Sequence, residues 1–221
     1  MGVKSITQVY EKCFLMKVDE TMNNLFLLWK QILKNPRELG TVAPSSPYLA
    51  KCVVAAANIN KQQHVVEVGA GTGPITRHII KEVTPEQFCM VEPNPEMLDT
   101  LKEEYPSAHH SAEYVQELET VVQGLGWKKV DVVVSSLPWS IFPKPAVVSG
   151  LEAIHSVLTP NGKVLTLVYS HAQYFPSSLY LEHQFNRYFE HVYRTRTTWR
   201  NVPPGYFLVG ERPRTLQLTE Q

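Results

Sequence analysis

Hydrophobic positions recur along this chain with two periods. Met22, Leu25, Phe26, Trp29, Ile32 and Leu33 fall on one side of a helical projection, with Asn23, Asn24, Lys30, Gln31 and Lys34 opposite. The spacing predicts a helix over 19–35, ended near Asn35 because Pro36 continues a helix poorly. The stretch GTVAPSS (40–46) reads as a loop, and Ser45 or Ser46 caps a helix with Pro47 in its first turn, running to about Asn58. Beyond that point short apolar runs alternate with helical patterns. HVVEVG, QFCMVEP, VDVVVSS and GKVLTLVYS read as strands, with a short strand near 107–112. Helices are expected over 74–82, 95–104, 113–124, 144–158 and about 178–188, followed by late strands HVYRTRTTWRNV and GYFLVGER. Near-continuous apolar strands separated by helices predict a mostly parallel sheet covered on both faces. The chain therefore reads as one α/β domain over 47–221 behind an N-terminal helical extension over 1–46.

Composition narrows this picture. At 221 residues, 43% hydrophobic and 19% charged, the chain can bury one sizeable core. Its formal net charge of zero gives no broad basic surface of the kind that nucleic-acid backbones attract. Cys13, Cys52 and Cys89 are odd in number and lack ligand spacing, so free thiols in a reducing cytosol are expected, with no metal site. Lys12 and Lys17 interrupt the apolar residues of 13–18 and no small-residue cleavage site follows, so no signal peptide is expected. No uncharged run approaches the ~20 residues that span a bilayer. A cytoplasmic protein, peripheral at most on the inner membrane face, is the expectation.

The chemistry begins at VVEVGAGTG (65–73). A strand leads into Gly69, Ala70, Gly71 and Gly73, and a helix follows. Glycines there allow unusual backbone angles and close approach to a ligand. The spacing is Glu-x-Gly-x-Gly-x-Gly, tighter than the GxGxxG of nicotinamide sites, and it resembles motif I of the class I S-adenosylmethionine methyltransferases. Glu92, with Pro93 after it, ends the second strand 19 residues past Gly73. A carboxylate at that tip can accept hydrogen bonds from both ribose hydroxyls. The resemblance assigns Glu67 to the methionine amino group and Glu92 to the ribose. The adenine partner falls in AHHSAEYV, at Ser111 or Glu113.

The fourth strand runs into SSLPW (135–139), with Ser135, Ser136, Leu137, Pro138 and Trp139 where such enzymes face the transferred methyl group. This stretch resembles the Asn-Leu-Pro-Tyr motif of adenine N6-methyltransferases, but serine stands at the asparagine position.

A second family matches more of the chain. LKNPRELGTVAPSSPYLA, VVEVGAGTGPITRHI, SSLPWSIFP, LTPNGKVLTLVYS and WRNVPPGYF together resemble the bacterial phospholipid N-methyltransferases, from about Leu33 to Phe207. The resemblance implies a Rossmann-like, mostly parallel seven-stranded sheet with an N-terminal helical lid. It implies S-adenosyl-L-methionine as the methyl donor and the amine of phosphatidylethanolamine-type lipids at a membrane surface as acceptor. Phe26 and Trp29 would then meet the interface, with Lys30 and Lys34 near anionic headgroups, unless the 19–35 helix serves as a lid. Arg200 is the candidate for the phosphate. Trp139, Tyr169 and Tyr48 are aromatic candidates for the cation, and His171 a proton acceptor. Transfer requires positioning of an amine lone pair against the methyl carbon, without a metal. The competing readings are a nucleic-acid adenine methyltransferase, a small-molecule N- or O-methyltransferase and a catalytically silent cofactor-binding scaffold.

Overall fold

Ser46 starts the first helix in the computed structural model, which describes residues 45–215. Its hydroxyl accepts from the amide of Leu49 at 3.3 Å, which caps α1 (Pro47–Ala57), and Asn58 closes the helix in a left-handed conformation. The extension expected over 1–46, with its 19–35 helix and Phe26, Trp29, Lys30 and Lys34, lies outside the described residues apart from Ser45 and Ser46.

The remaining elements are β1 (Val65–Val68), α2 (Thr76–Ile79), β2 (Phe88–Val91), α3 (Pro95–Glu104), β3 (His109–Ser111), α4 (Leu118–Gly124), β4 (Val130–Ser135), α5 (Lys144–Val157), β5 (Leu158–Tyr169), α6 (Pro176–Tyr188), β6 (Phe189–Arg194) and β7 (Gly205–Pro213). The strands form one sheet in the order β3-β2-β1-β4-β5-β7-β6. Pairing is parallel from β3 through β5, and β7 runs antiparallel to both of its neighbours. This is the seven-stranded, mostly parallel sheet expected of a Rossmann-like methyltransferase fold. Strand alternation feeds two cores. Val65, Phe88, Met90, Val132 and Val134 cluster with Leu49 and Val53 of α1 and Ile79 of α2. Val66, Cys89, Val91 and Val133, equally buried, point to the other face. Cys52 and Cys89 are free thiols, and burial pushes Cys89 up to about 12.

Three expected elements are shorter, among them the 113–124 helix, which begins at Leu118 after a single tight turn over 115–117. The 74–82 helix shortens to Thr76–Ile79, because Pro74 and the β-branched Ile75, Thr76, Ile79 and Ile80 resist regular helix. The strand expected over 191–202 stops at Arg194. Thr195 still exchanges bonds with Phe207, but Pro203 and Pro204 have no amides to donate, and 195–204 loops over the end of the sheet.

Candidate functional site

The sheet order reverses between β1 and β4. Both strands end at the same level, with Val68 beside Ser135, and the amide of Ser136 donates to the carbonyl of Val68 at 2.9 Å. Chains leaving adjacent parallel strands in opposite directions open a crevice, the usual ligand position in this architecture. The glycine loop after β1 and the SSLPW stretch after β4 form its two walls.

Gly69, Gly71 and Gly73 all have positive φ, at 74°, 57° and 74°. A Cβ on Gly69 would meet Leu137 Cδ2 at 3.0 Å, so Leu137 packs directly on the loop. At Gly71 no atom beyond its chain neighbours lies within 4 Å of that position, which leaves open ground over the loop. The Gly71 amide instead donates to Glu92 Oε2 at 2.8 Å. Glu92 Oε1 accepts from the Asn94 amide at 3.0 Å, and the Glu92 amide donates to the carbonyl of Ser111 at 3.0 Å. A carboxylate offers about four acceptor positions, so two remain for hydroxyl groups. Ser111 stands at the tip of β3 beside Glu92, and its hydroxyl accepts from the Glu113 amide at 3.2 Å.

Glu67 is fully buried at the end of β1. Thr76 Oγ1 donates to its Oε2 at 2.6 Å, while Oε1 has no hydrogen-bond partner among the described residues. Burial raises its pKa to about 8, and the nearby Glu92 carboxylate adds to the rise while the Thr76 bond opposes it. A buried, half-satisfied carboxyl is costly unless something completes it. The free oxygen of Glu67, the spare acceptors of Glu92 and the open ground over Gly71 together fit an amino acid joined to a nucleoside, as in S-adenosylmethionine. Thr76 carried no sequence signal beyond its place in the helix after the glycines.

The second wall departs from expectation. Ser135 is fully buried, and its hydroxyl accepts from Trp139 Nε1 at 3.1 Å and from the Leu137 amide at 3.4 Å. Trp139 is 2% exposed. Its ring lies against Gly150 of α5, where an added Cβ would come within 2.9 Å of Cη2, and 5.5 Å from Phe142. The indole faces are thus filled by protein, not open to a cation. Trp139 braces the turn from within, and Ser135 is its acceptor. Ser136 and Pro138 stay half-buried at the crevice wall.

Tyr169 ends β5 half-buried and stacks on the exposed His171, with centroids 5.9 Å apart and planes at 16°. Burial raises the Tyr169 pKa and keeps it a neutral phenol. The Arg200 guanidinium lies over the Tyr48 ring, 4.9 Å from its centroid. One face of the exposed Tyr48 ring, expected to meet a substrate cation, is thereby covered by Arg200. Buried Asn201 holds this corner: its Oδ1 accepts from the Ser46 amide at 2.7 Å, and its Nδ2 donates to the Pro203 carbonyl at 2.7 Å. Asn201 lies within WRNVPP, and its bond to Ser46, 155 residues away, leaves no local sign in the sequence. Among the described residues no three His, Cys, Asp or Glu side chains gather as metal ligands, and no helix is long and apolar enough to cross a membrane.

Comparisons with known proteins agree with this geometry. Residues 65–162 match the model of a methyltransferase domain family. The chain is 32% identical over 145 residues to an ornithine lipid N-methyltransferase of Singulisphaera acidiphila, covering 64% of this chain and 76% of that protein. It is 28% identical over 101 residues to ribosomal RNA small subunit methyltransferase A of Maridesulfovibrio salexigens, covering 43% of this chain but only 36% of that one. Among solved structures, a TehB-like S-adenosylmethionine-dependent methyltransferase from Corynebacterium glutamicum superposes with a TM-score of 0.54 at 14% identity, covering 86% of this chain and 97% of that one. A Thermotoga maritima O-methyltransferase gives 0.55 at 11% identity, covering 84% and 73%. At such identities the structures share the fold.

Proposed function

We infer the reaction from one premise: the chain belongs to the class I S-adenosylmethionine-dependent methyltransferases. We propose that it methylates the amine of a membrane lipid, with phosphatidylethanolamine-type lipids as first substrate. The observation that carries this reading is the 32% identity to a lipid N-methyltransferase over 76% of that protein's length. Neutral net charge and a serine-lined rather than asparagine-lined post-β4 turn argue in the same direction, against an adenine acceptor.

S-Adenosylmethionine supplies a methyl group on a sulfonium, electrophilic enough for direct displacement. The chain's own residues do the positioning. The glycine loop gives close backbone approach, Glu92 takes hydroxyls with its spare acceptors, and Glu67 offers its free oxygen to an amino group. Ser136, Leu137 and Pro138 shape the wall beside the acceptor amine. An ammonium has no lone pair, so the acceptor must first lose a proton. We assign that proton to His171, stacked on Tyr169 at the end of the neighbouring strand, ahead of a tyrosine or a backbone carbonyl. We assign the lipid phosphate to the exposed Arg200, because a guanidinium binds phosphate in a forked geometry.

Mass spectrometry of phosphatidylethanolamine vesicles incubated with the protein and S-adenosylmethionine tests this. Headgroups heavier by one or more methyl groups are expected. Unmodified lipid with a cofactor-competent protein would contradict the reading.

A further inference from the structure

Several large apolar side chains left in solvent lie at one end of the sheet. Trp199 is 75% exposed, Val202 76% and Tyr174 78%, and Tyr48, Phe175 and Ile141 are exposed as well. Apart from Tyr48 in the first turn of α1, they belong to segments level with the ends of the parallel strands, where the crevice opens. Ile141 follows β4, Tyr174 and Phe175 join β5 to α6, and Trp199 and Val202 lie between β6 and β7. Two bonds tie the 195–204 loop to the end of β5 and to the start of α1. The Ser170 amide donates to the Pro204 carbonyl at 2.8 Å, and the Ser46 amide beside Tyr48 donates to Asn201 at 2.7 Å. Exposed apolar residues grouped around a site mark an interaction surface rather than scatter.

The charge of this rim is one-sided. The segment from Arg194 to Gly210 holds Arg194, Arg196 and Arg200 and no acidic residue, in a chain whose formal net charge is zero. Arg194 is already tied to Glu182, while Arg196 and Arg200 are exposed on either side of Trp199. Tryptophan between arginines, with an exposed valine at the tip, suits the boundary between anionic headgroups and acyl chains. Single-stranded RNA would use the aromatic and the arginines but gains nothing from Val202 and Ile141.

We propose that this rim docks on an anionic phospholipid bilayer, with Trp199 and Val202 entering the leaflet and the crevice mouth held against it. The proposal deepens the lipid-amine reading and rests on it for its purpose. The contact it assigns lies within the described residues and does not depend on residues 19–35.

Co-sedimentation of the full chain with phosphatidylcholine vesicles, with and without phosphatidylglycerol, tests it. The wild type is expected to sediment with the phosphatidylglycerol vesicles and to release as salt rises. The triple variant Trp199→Ser, Val202→Ser, Tyr174→Ser is expected to bind about tenfold or more weakly. All three side chains are mostly in solvent, so the fold should persist. Transfer by the variant to a water-dispersed short-chain aminolipid should stay at the wild-type rate. Equal sedimentation of variant and wild type, or no wild-type binding to anionic vesicles, would overturn the proposal. So would a loss that appears in dimer mass or RNA retention while vesicle binding is unchanged. Wild-type vesicle binding without methylation of any aminolipid would support the docking surface and overturn the substrate reading alone.

Discussion

The amide of Gly71 donates to the Glu92 carboxylate at 2.8 Å, which ties the glycine loop after β1 to the tip of β2. One bond thus fixes the shape of the loop and aims the remaining lone pairs of Glu92 past it. Charge-assisted bonds of this kind contribute about 1.5–3 kcal/mol each. Glu92→Ala should therefore weaken S-adenosylmethionine binding by about tenfold or more, as read by calorimetry. Affinity equal to wild type would remove Glu92 from the ribose role.

The glycines separate folding from binding. Alanine at Gly71 meets open space and costs only the positive-φ strain, about 1–2 kcal/mol. Its methyl group would nevertheless stand where the cofactor must approach. Gly71→Ala should lower the melting temperature by a few degrees and abolish most cofactor binding. A variant that binds normally would place the ligand elsewhere.

Glu67 sets a pH dependence. Its folded-state pKa of about 8 lies above the ordinary 4.5, so the folded protein holds the proton more tightly than the unfolded chain. The stabilisation is fully present below pH 4.5 and is lost as pH rises through about 8. Thermal melts of the ligand-free protein between pH 5.5 and 8.5 should show falling stability, and Glu67→Gln should flatten the fall. Binding a positively charged amino group would favour the carboxylate, so cofactor binding near neutral pH should release protons, seen as a buffer-dependent enthalpy. A wild-type melt curve as flat as that of Glu67→Gln would contradict this account.

Gly150 leaves room for the Trp139 ring. Alanine there gains about 0.5–1 kcal/mol of helix propensity but sets a methyl group 2.9 Å from Cη2, and overpacking costs about 1–3 kcal/mol. The clash wins, and Gly150→Ala should be destabilised by about 1 kcal/mol in urea unfolding. Trp139→Phe loses only the bond to Ser135 and part of the ring volume, so it should retain cofactor affinity while slowing methyl transfer.

How much of this was legible in the sequence depends on the range of the interactions. The helix expected over 95–104 is observed as Pro95–Glu104, because Asn94 caps it and Pro95 fits its first turn, both local effects. The glycine loop and Glu92 were legible because positive φ and a strand-tip carboxylate leave residue-type signatures. Trp139 read as a ligand face because its position after β4 was legible and its packing on Gly150, 11 residues later, was not. The Arg200–Tyr48 contact joins the two ends of the described chain, and nothing local signals it. The rim around Trp199 depends on the long-range pairing of β7 with β5, which brings the 195–204 loop level with the end of β5.

The most direct test of the central claim is where the methyl group goes. The protein would be given radiolabelled S-adenosylmethionine with phosphatidylethanolamine vesicles and total RNA in the same reaction, followed by phase extraction. Label in the organic phase, moving on chromatography as methylated aminolipid, is the predicted result. Label retained in the RNA fraction would contradict it and make the post-β4 turn the wall of a base pocket.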